Sequence, residues 1–235
     1  MSKLKYPTIV CNLGLGDLIV LSGAIVHLAG IHGGLRVPVL DYNLSNADAI
    51  FFNHPEIELF VVTGDRELRD SYKNDPDALP CYWTRVEGVI VNPDISWDVW
   101  MYQQLGVDFN HRYSSNPIEN AALKFSQIQL KEPYYLVHDD QERDFNITYP
   151  PWHPFVRTYR IHRSGNLHIL CWVEAIRRAK ELHFMDSCCW HLAESMNLFR
   201  EQDKYIHLYC RVHKDVWHDV HTRYYWQSLG IRKEI

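Results

Sequence analysis

Twice along its 235 residues this chain repeats one pattern: a short β-rich apolar run meets a tight polar or glycine turn and hands over to a helical segment. A strand that is apolar on both faces has to be covered on both. Helices that alternate with strands do this, so the pattern predicts parallel sheets wrapped by helices, an α/β fold. Thr8–Asn12 reads as the first strand, followed by Leu-Gly-Leu-Gly, and from Asp17 to about Ala29 the residues Leu18, Leu21, Ile25 and Leu28 fall on one helical face. Leu35–Asp41 is a second strand, in which Pro38 suits an edge or an irregular position. A helix over Ser45–Phe52 and strands over Ile57–Thr63 and Val86–Val91 follow, with the polar stretch Gly64–Pro80 read as turns. Ser96 is placed to cap a helix that runs to about Leu105 and stops at Gly106. Asn110–Lys131 reads as connecting material with one helix near Glu119–Phe125.

The pattern then restarts. Tyr134–His138 is a strand opening into the polar run Asp139–Asp144, and Phe155–Ile161 is extended. A helix over Leu170–Ala179, a strand over Leu182–Met185, a helix from Asp186-Ser187 to about Met196 and a strand over Tyr205–Cys210 complete the second half. His218–Leu229 reads as an aromatic closing helix. Two α/β units, residues 1–130 and 131–235, are the economical division.

Composition narrows the function classes. Hydrophobic residues make up 46% and charged residues 23%, which suits a folded globular chain. The formal net charge is -5, with Lys and Arg scattered; no basic stripe is present to grip nucleic-acid phosphates, so a nucleic-acid partner is not expected. Six cysteines lack C-x-x-C spacing and read as reduced thiols of a cytoplasmic protein. The N-terminus has no secretory apolar region, and the longest apolar stretch, Leu18–Ile31, is broken by Ser22, Gly23 and His27; it reads as too short and too interrupted to span a bilayer.

Three motifs carry candidate chemistry. In Asn12-Leu-Gly14-Leu-Gly16-Asp17 the glycines allow a sharp strand-to-helix turn and close approach of backbone N–H groups to a ligand; the alternative is that Asp17 only caps the helix. In Phe184-Met-Asp186-Ser187, followed by His191-Leu-Ala193, small hydrogen-bonding groups sit where a strand ends, the edge at which open α/β sheets bind ligands. A capped helix with His191 packed in the core is the alternative. In His138-Asp139-Asp140-Gln-Glu-Arg143 the arginine suits a diphosphate, while Asp139-Asp140 reads as an acidic turn. Cys188-Cys189 admits a reactive thiol, though packing residues are the commoner case. His207, His213, His218 and His221 have no metal-ligand spacing, and no metal is expected.

Leu15-Gly16-Asp17 before an apolar helix, together with Asp186-Ser187 and His191-Leu-Ala193, resembles the GT-B glycosyltransferases, above all the ADP-heptose heptosyltransferase family and its small microbial and viral relatives. The resemblance implies two small Rossmann-like lobes with a cleft between them. It implies an acceptor lobe first and a nucleotide-sugar donor lobe second. It implies a metal-independent, inverting transfer of a sugar from a nucleoside-diphosphate donor to a glycan or other hydroxyl acceptor. Asp17 would be the catalytic base. Gly14, Gly16, His138, Arg143, Asp186, Ser187 and His191 would serve the donor. Arg112 either lines the cleft or forms an internal salt bridge. Cys188 stands where the family carries glycine, and Arg143 is nearest to the family's phosphate-binding lysine. A dinucleotide oxidoreductase is the rival enzyme class; Ile19 replaces its third glycine, and Asp41 only approaches its ribose-binding acid. A non-catalytic nucleotide-sugar-binding module is the other rival.

Overall fold

The computed structural model describes residues 6–82, 95–139, 146–147, 155–161, 167–185, 187–198, 202–207 and 226–229. The chain divides into two compact units, with the boundary between Ala121 and Ala122.

The first unit is a four-stranded, wholly parallel sheet in the order β3-β2-β1-β4. Its strands are β1 (Thr8–Cys11), β2 (Leu35–Leu40), β3 (Ile57–Val62) and β4 (Ala78–Cys81). The helices are α1 (Leu15–His32), α2 (Leu44–Ile50), α3 (Asp65–Tyr72), α4 (Trp97–Gln104) and α5 (His111–Ser114); α6 (Ile118–Phe125) straddles the boundary. β1 is buried along its whole length, as an apolar strand inside a covered sheet should be. β3, at the edge, is half exposed and carries Glu58.

Helix α1 is apolar nearly all round, and Ile19, Leu21 and Ile25 are fully buried. Each such side chain contributes about 1.5–3 kcal/mol relative to an exposed one. Tyr102 of α4 donates from its hydroxyl to the Val20 carbonyl at 2.9 Å. The α5 backbone packs against Gly23, where a Cβ would stand 2.0 Å from the His111 carbonyl oxygen. The helix ends at Gly33, whose φ of 68° is the left-handed C-cap geometry. With 18 residues α1 is long and apolar enough, by length and composition, to cross a bilayer, which corrects the expectation from its interruptions; over half of it is buried in this unit.

Two further expectations change. Pro38 lies in an interior strand, not at an edge. The Arg36 N–H donates to Pro7 on the β1 side, and alternate residues of a strand face the same neighbour, so the N–H that Pro38 lacks would also have faced β1. The pairing fits this: β2 pairs with β3 over six residues and with β1 only at Thr8–Arg36. The stretch read as turns holds a helix, α3, and a strand, β4; Val86–Val91 lies outside the described residues.

The second unit is a five-stranded parallel sheet in the order β6-β5-β7-β8-β9. The strands are β5 (Tyr134–His138), β6 (Arg157–Arg160), β7 (Glu181–Met185), β8 (Asp203–His207) and β9 (Gln227–Leu229). A 3-10 turn, Ile169–Trp172, leads into α7 (Val173–Arg178), and α8 (Cys188–Glu194) follows β7. β9 is a correction: the described end of the expected closing helix is a strand paired with β8.

Candidate functional site

An open parallel sheet binds ligands beyond the carboxyl ends of its strands, at the point where the strand order reverses. In the first unit the chain runs β1, β2, β3 to one side and returns to place β4 on the other, so the reversal falls between β1 and β4. Asn12, Leu13 and Gly14 leave β1 at this edge. Leu13 anchors the turn: its N–H donates to Asp65 Oδ1 at 3.1 Å, and its carbonyl accepts from Asn43 Nδ2 at 3.2 Å. Val10, Leu13, Leu68 and Tyr82 form a small apolar cluster beneath it.

The glycine turn differs from its expected form. Gly14 is the N-cap of α1 with φ −65° and ψ 144°, which any residue adopts, and Gly16 already lies in the first helical turn. Asp17 is in that first turn and is not the cap. What glycine at 14 permits is proximity, since a Cβ there would stand 2.4 Å from Asp17 Oδ2 and the carboxylate would have to shift. The carboxylate is folded back over the turn. Its charge reaches the edge of the sheet, where Cys11 and Cys81 are paired across β1 and β4. Burial pushes the Cys11 thiol up, followed by the Asp17 and Asp65 carboxylates. Burial likewise raises Cys81, with Cys11 and Asp17 adding to it. Both thiols are therefore protonated neighbours of Asp17.

In the second unit β6 lies on one side of β5 and β7, β8 and β9 on the other, so the reversal falls between β5 and β7. His138 ends β5 and Ser187 follows β7. Their side chains meet there, Ser187 Oγ to His138 Nδ1 at 2.9 Å. Ser187 is the N-cap of α8, yet its hydroxyl makes no capping bond; it turns across the edge to the imidazole. When the hydroxyl donates to Nδ1, the ring proton is on Nε2, which becomes a hydrogen-bond donor.

The other expected residues fare differently. Arg143 and Asp186 lie outside the described residues. His191 is buried in α8 with its ring 5.2 Å from that of Trp190, a packed position. Arg112 is wholly buried, ion-paired with the equally buried Asp98, and its guanidinium lies 5.6 Å from the rings of both Phe109 and Tyr113. Of the two roles expected for it, it takes the internal salt bridge. Asp139 accepts from the Arg160 guanidinium and from the Ile147 N–H at 3.1 Å; Asp140, the other half of the expected acidic turn, lies outside the described residues. Arg160, the guanidinium that ends β6 at the same edge, was not singled out; its partner lies 21 residues away.

A buried polar chain also escaped the sequence. His183 Nε2 meets Glu181 Oε2 at 3.1 Å, and His183 Nδ1 meets His207 Nε2 at 3.2 Å. Glu181 accepts from Nε2–H, so His183 Nδ1 accepts from His207. The His183 ring stacks on Tyr205, centroids 4.6 Å apart. Burial, and then His207, lower the His183 pKa to about 3. Burial lowers His207 to about 4 against the opposing pull of Asp139. Both rings are neutral, and their bonds lock β7 to β8. Among the described residues no three His, Cys, Asp or Glu side chains are grouped to hold a metal ion.

No protein-family model matches the sequence, and no curated protein matches it. In three dimensions the chain is similar to the iron-containing dodecameric glycosyltransferase TibC of enterotoxigenic E. coli H10407, with a TM-score of 0.51 and 14% identity over 88% of this chain and 58% of that one. The chain shares a glycosyltransferase fold. A second structure, of the dodecameric heptosyltransferase TibC with ADP-D-β-D-heptose, aligns with a TM-score of 0.49 and 12% identity over 86% of this chain and 57% of that one. A family 9 glycosyl transferase from Veillonella parvula DSM 2008 aligns with a TM-score of 0.40 and 14% identity over 87% of this chain and 80% of that one. This chain thus spans 58% of the length of TibC.

Proposed function

We propose that the chain is a glycosyltransferase that moves a sugar from a nucleoside-diphosphate donor to a hydroxyl of a glycan or other acceptor. The observation that carries this reading is the Ser187–His138 pair at the strand reversal of the second sheet, on the edge where open parallel sheets bind ligands. In this account the units serve as the two lobes of a GT-B arrangement, the first for the acceptor and the second for the donor.

The chemistry follows from the groups at the two edges. Asp17 takes the proton from the acceptor hydroxyl as its oxygen attacks the anomeric carbon. The bond from that carbon to the departing diphosphate breaks, and the single-step displacement inverts the configuration. His138, through Nε2–H, holds an oxygen of the donor, Ser187, whose own proton goes to His138 Nδ1, accepts from a donor hydroxyl, and Asp186 serves sugar or ribose hydroxyls. Arg143 neutralises the charge that grows on the leaving diphosphate, the task a divalent metal performs in other transferases, so transfer is metal-independent.

The test is a thermal-shift series with ADP, GDP, UDP, dTDP and their sugars, followed by transfer assays. A ligand bound only to the folded state raises the melting temperature by mass action. One nucleotide should do so in the wild type; His138→Ala should weaken it at least about tenfold, the loss of one hydrogen bond to a charged group, and Ser187→Ala should weaken it through loss of the bond that sets the imidazole tautomer. Transfer should survive excess chelator. A response to NAD alone would support a dinucleotide enzyme, and nucleotide binding without transfer or hydrolysis would leave a binding module.

A further inference from the structure

Buried polar groups in folded proteins almost always find a partner, so an exception calls for a cause. Asn12 is such an exception. It is 8% exposed, and its side-chain Nδ2 has no hydrogen-bond partner among the described residues. A buried amide donor without an acceptor loses its bonds to water and regains nothing. Local structure does not consume it: the next residue, Leu13, holds the turn through its own N–H and carbonyl, to Asp65 and Asn43.

The position of Asn12 supplies the cause. It directly follows β1 at the reversal between β1 and β4, and the same turn carries the Asp17 carboxylate folded over Gly14. One edge therefore holds an acceptor of protons, Asp17, and an unspent donor, Asn12. Sugar hydroxyls are both donors and acceptors, so a sugar at this edge offers partners of both kinds. A carboxylate or phosphate would gain from the amide but be repelled by Asp17, so the pair selects a neutral polyol over an anion.

Resting on the transferase reading, we infer that Asn12 is an acceptor-binding residue, its amide N–H donating to an oxygen of the sugar whose hydroxyl Asp17 deprotonates. It touches substrate and orients it; the proton goes to Asp17.

The experiment uses Asn12→Leu, close in volume and without the donor, in the full chain. The probes are methyl glycosides of common hexoses and N-acetylhexosamines, read by saturation-transfer NMR, which needs no turnover. The wild type should show transfer to at least one glycoside and the variant should lose it. The unliganded variant should melt at the same temperature or higher, because an unmatched buried donor has been removed. Where transfer activity is found, KM for the acceptor should rise tenfold or more, with kcat/KM for the acceptor falling by at least that factor while KM for the donor stays within threefold. Equal glycoside signals in both proteins, no signal in either, or a fall of several degrees in the melting temperature would overturn the inference. Failure of the wild type to bind any nucleoside diphosphate would instead count against the transferase reading, since that binding is assigned to the second unit.

Discussion

Substituting Gly14 by alanine separates the role of the turn in folding from its role in placing Asp17. The backbone at 14 has φ −65° and ψ 144°, an extended conformation that alanine adopts without strain. Replacing glycine at such a position stabilises by about 0.4–1 kcal/mol through the unfolded chain. The new methyl would lie 2.4 Å from Asp17 Oδ2, whereas ordinary contact begins at 3.4 Å. The carboxylate must therefore retreat by about 1 Å, a displacement that costs a reacting group on the order of 10²-fold in rate. Gly14→Ala should thus melt at or up to about 5 °C above the wild type, since 1 kcal/mol in a unit this size moves the midpoint by a few degrees. It should lose about as much transfer as Asp17→Asn. The assay pairs calorimetry with the transfer rate at saturating donor. Wild-type activity in Gly14→Ala would refute the reasoning, because it would mean that the position of the carboxylate does not matter.

Other consequences follow from the packing and the buried charges. Gly23→Ala meets the His111 backbone carbonyl at 2.0 Å, which cannot rotate away, and should cost at least about 1–3 kcal/mol, read as a lower midpoint in urea. Asp98→Ala leaves the Arg112 guanidinium buried without its carboxylate and should destabilise the first unit by about 3–5 kcal/mol, seen in the same titration. His183 and His207 have folded pKa values of about 3 and about 4, below the ordinary 6.5, so the unfolded chain binds more protons as pH falls. Their contribution is intact above pH 6.5 and is lost on acidification toward pH 4, at up to about 1.4 kcal/mol per pH unit for each ring. His207→Gln should flatten that slope in a series of melts, and an unchanged slope would exclude the pair as its source.

The α/β character was legible because it rests on local periodicity. β1, α1, β2, β5 and β7 follow from runs of apolar residues and from the turns between them, and Gly106 marked the end of α4 through its positive φ of 65°. What the sequence hid depends on pairing across distance. Pro38 reads as an edge residue until the register shows that its missing N–H faces a neighbour it barely pairs with. β4 is four residues long and contains Pro80, too little signal for a strand that is specified by its place beside β1. The site followed the same rule. Gly14, Asp17, His138 and Ser187 were legible as candidates because they end strands or start helices. The Ser187–His138 bond joins residues 49 apart, and the Arg112–Asp98 pair, 14 apart, could be told from a cleft residue only by burial. Asn12 stood in the first motif, but its unmatched amide is a property of the folded state alone.

A nucleotide-sugar donor site served by a separate base at Asp17 is the arrangement we propose. The most direct measurement compares wild type and Asp17→Asn for nucleoside-diphosphate binding and for sugar transfer in the same preparation. The account predicts equal nucleotide affinity, with transfer lower on the order of 10²-fold in the variant. Undiminished transfer by Asp17→Asn, or a wild type that neither binds a nucleoside diphosphate nor transfers a sugar, would contradict it.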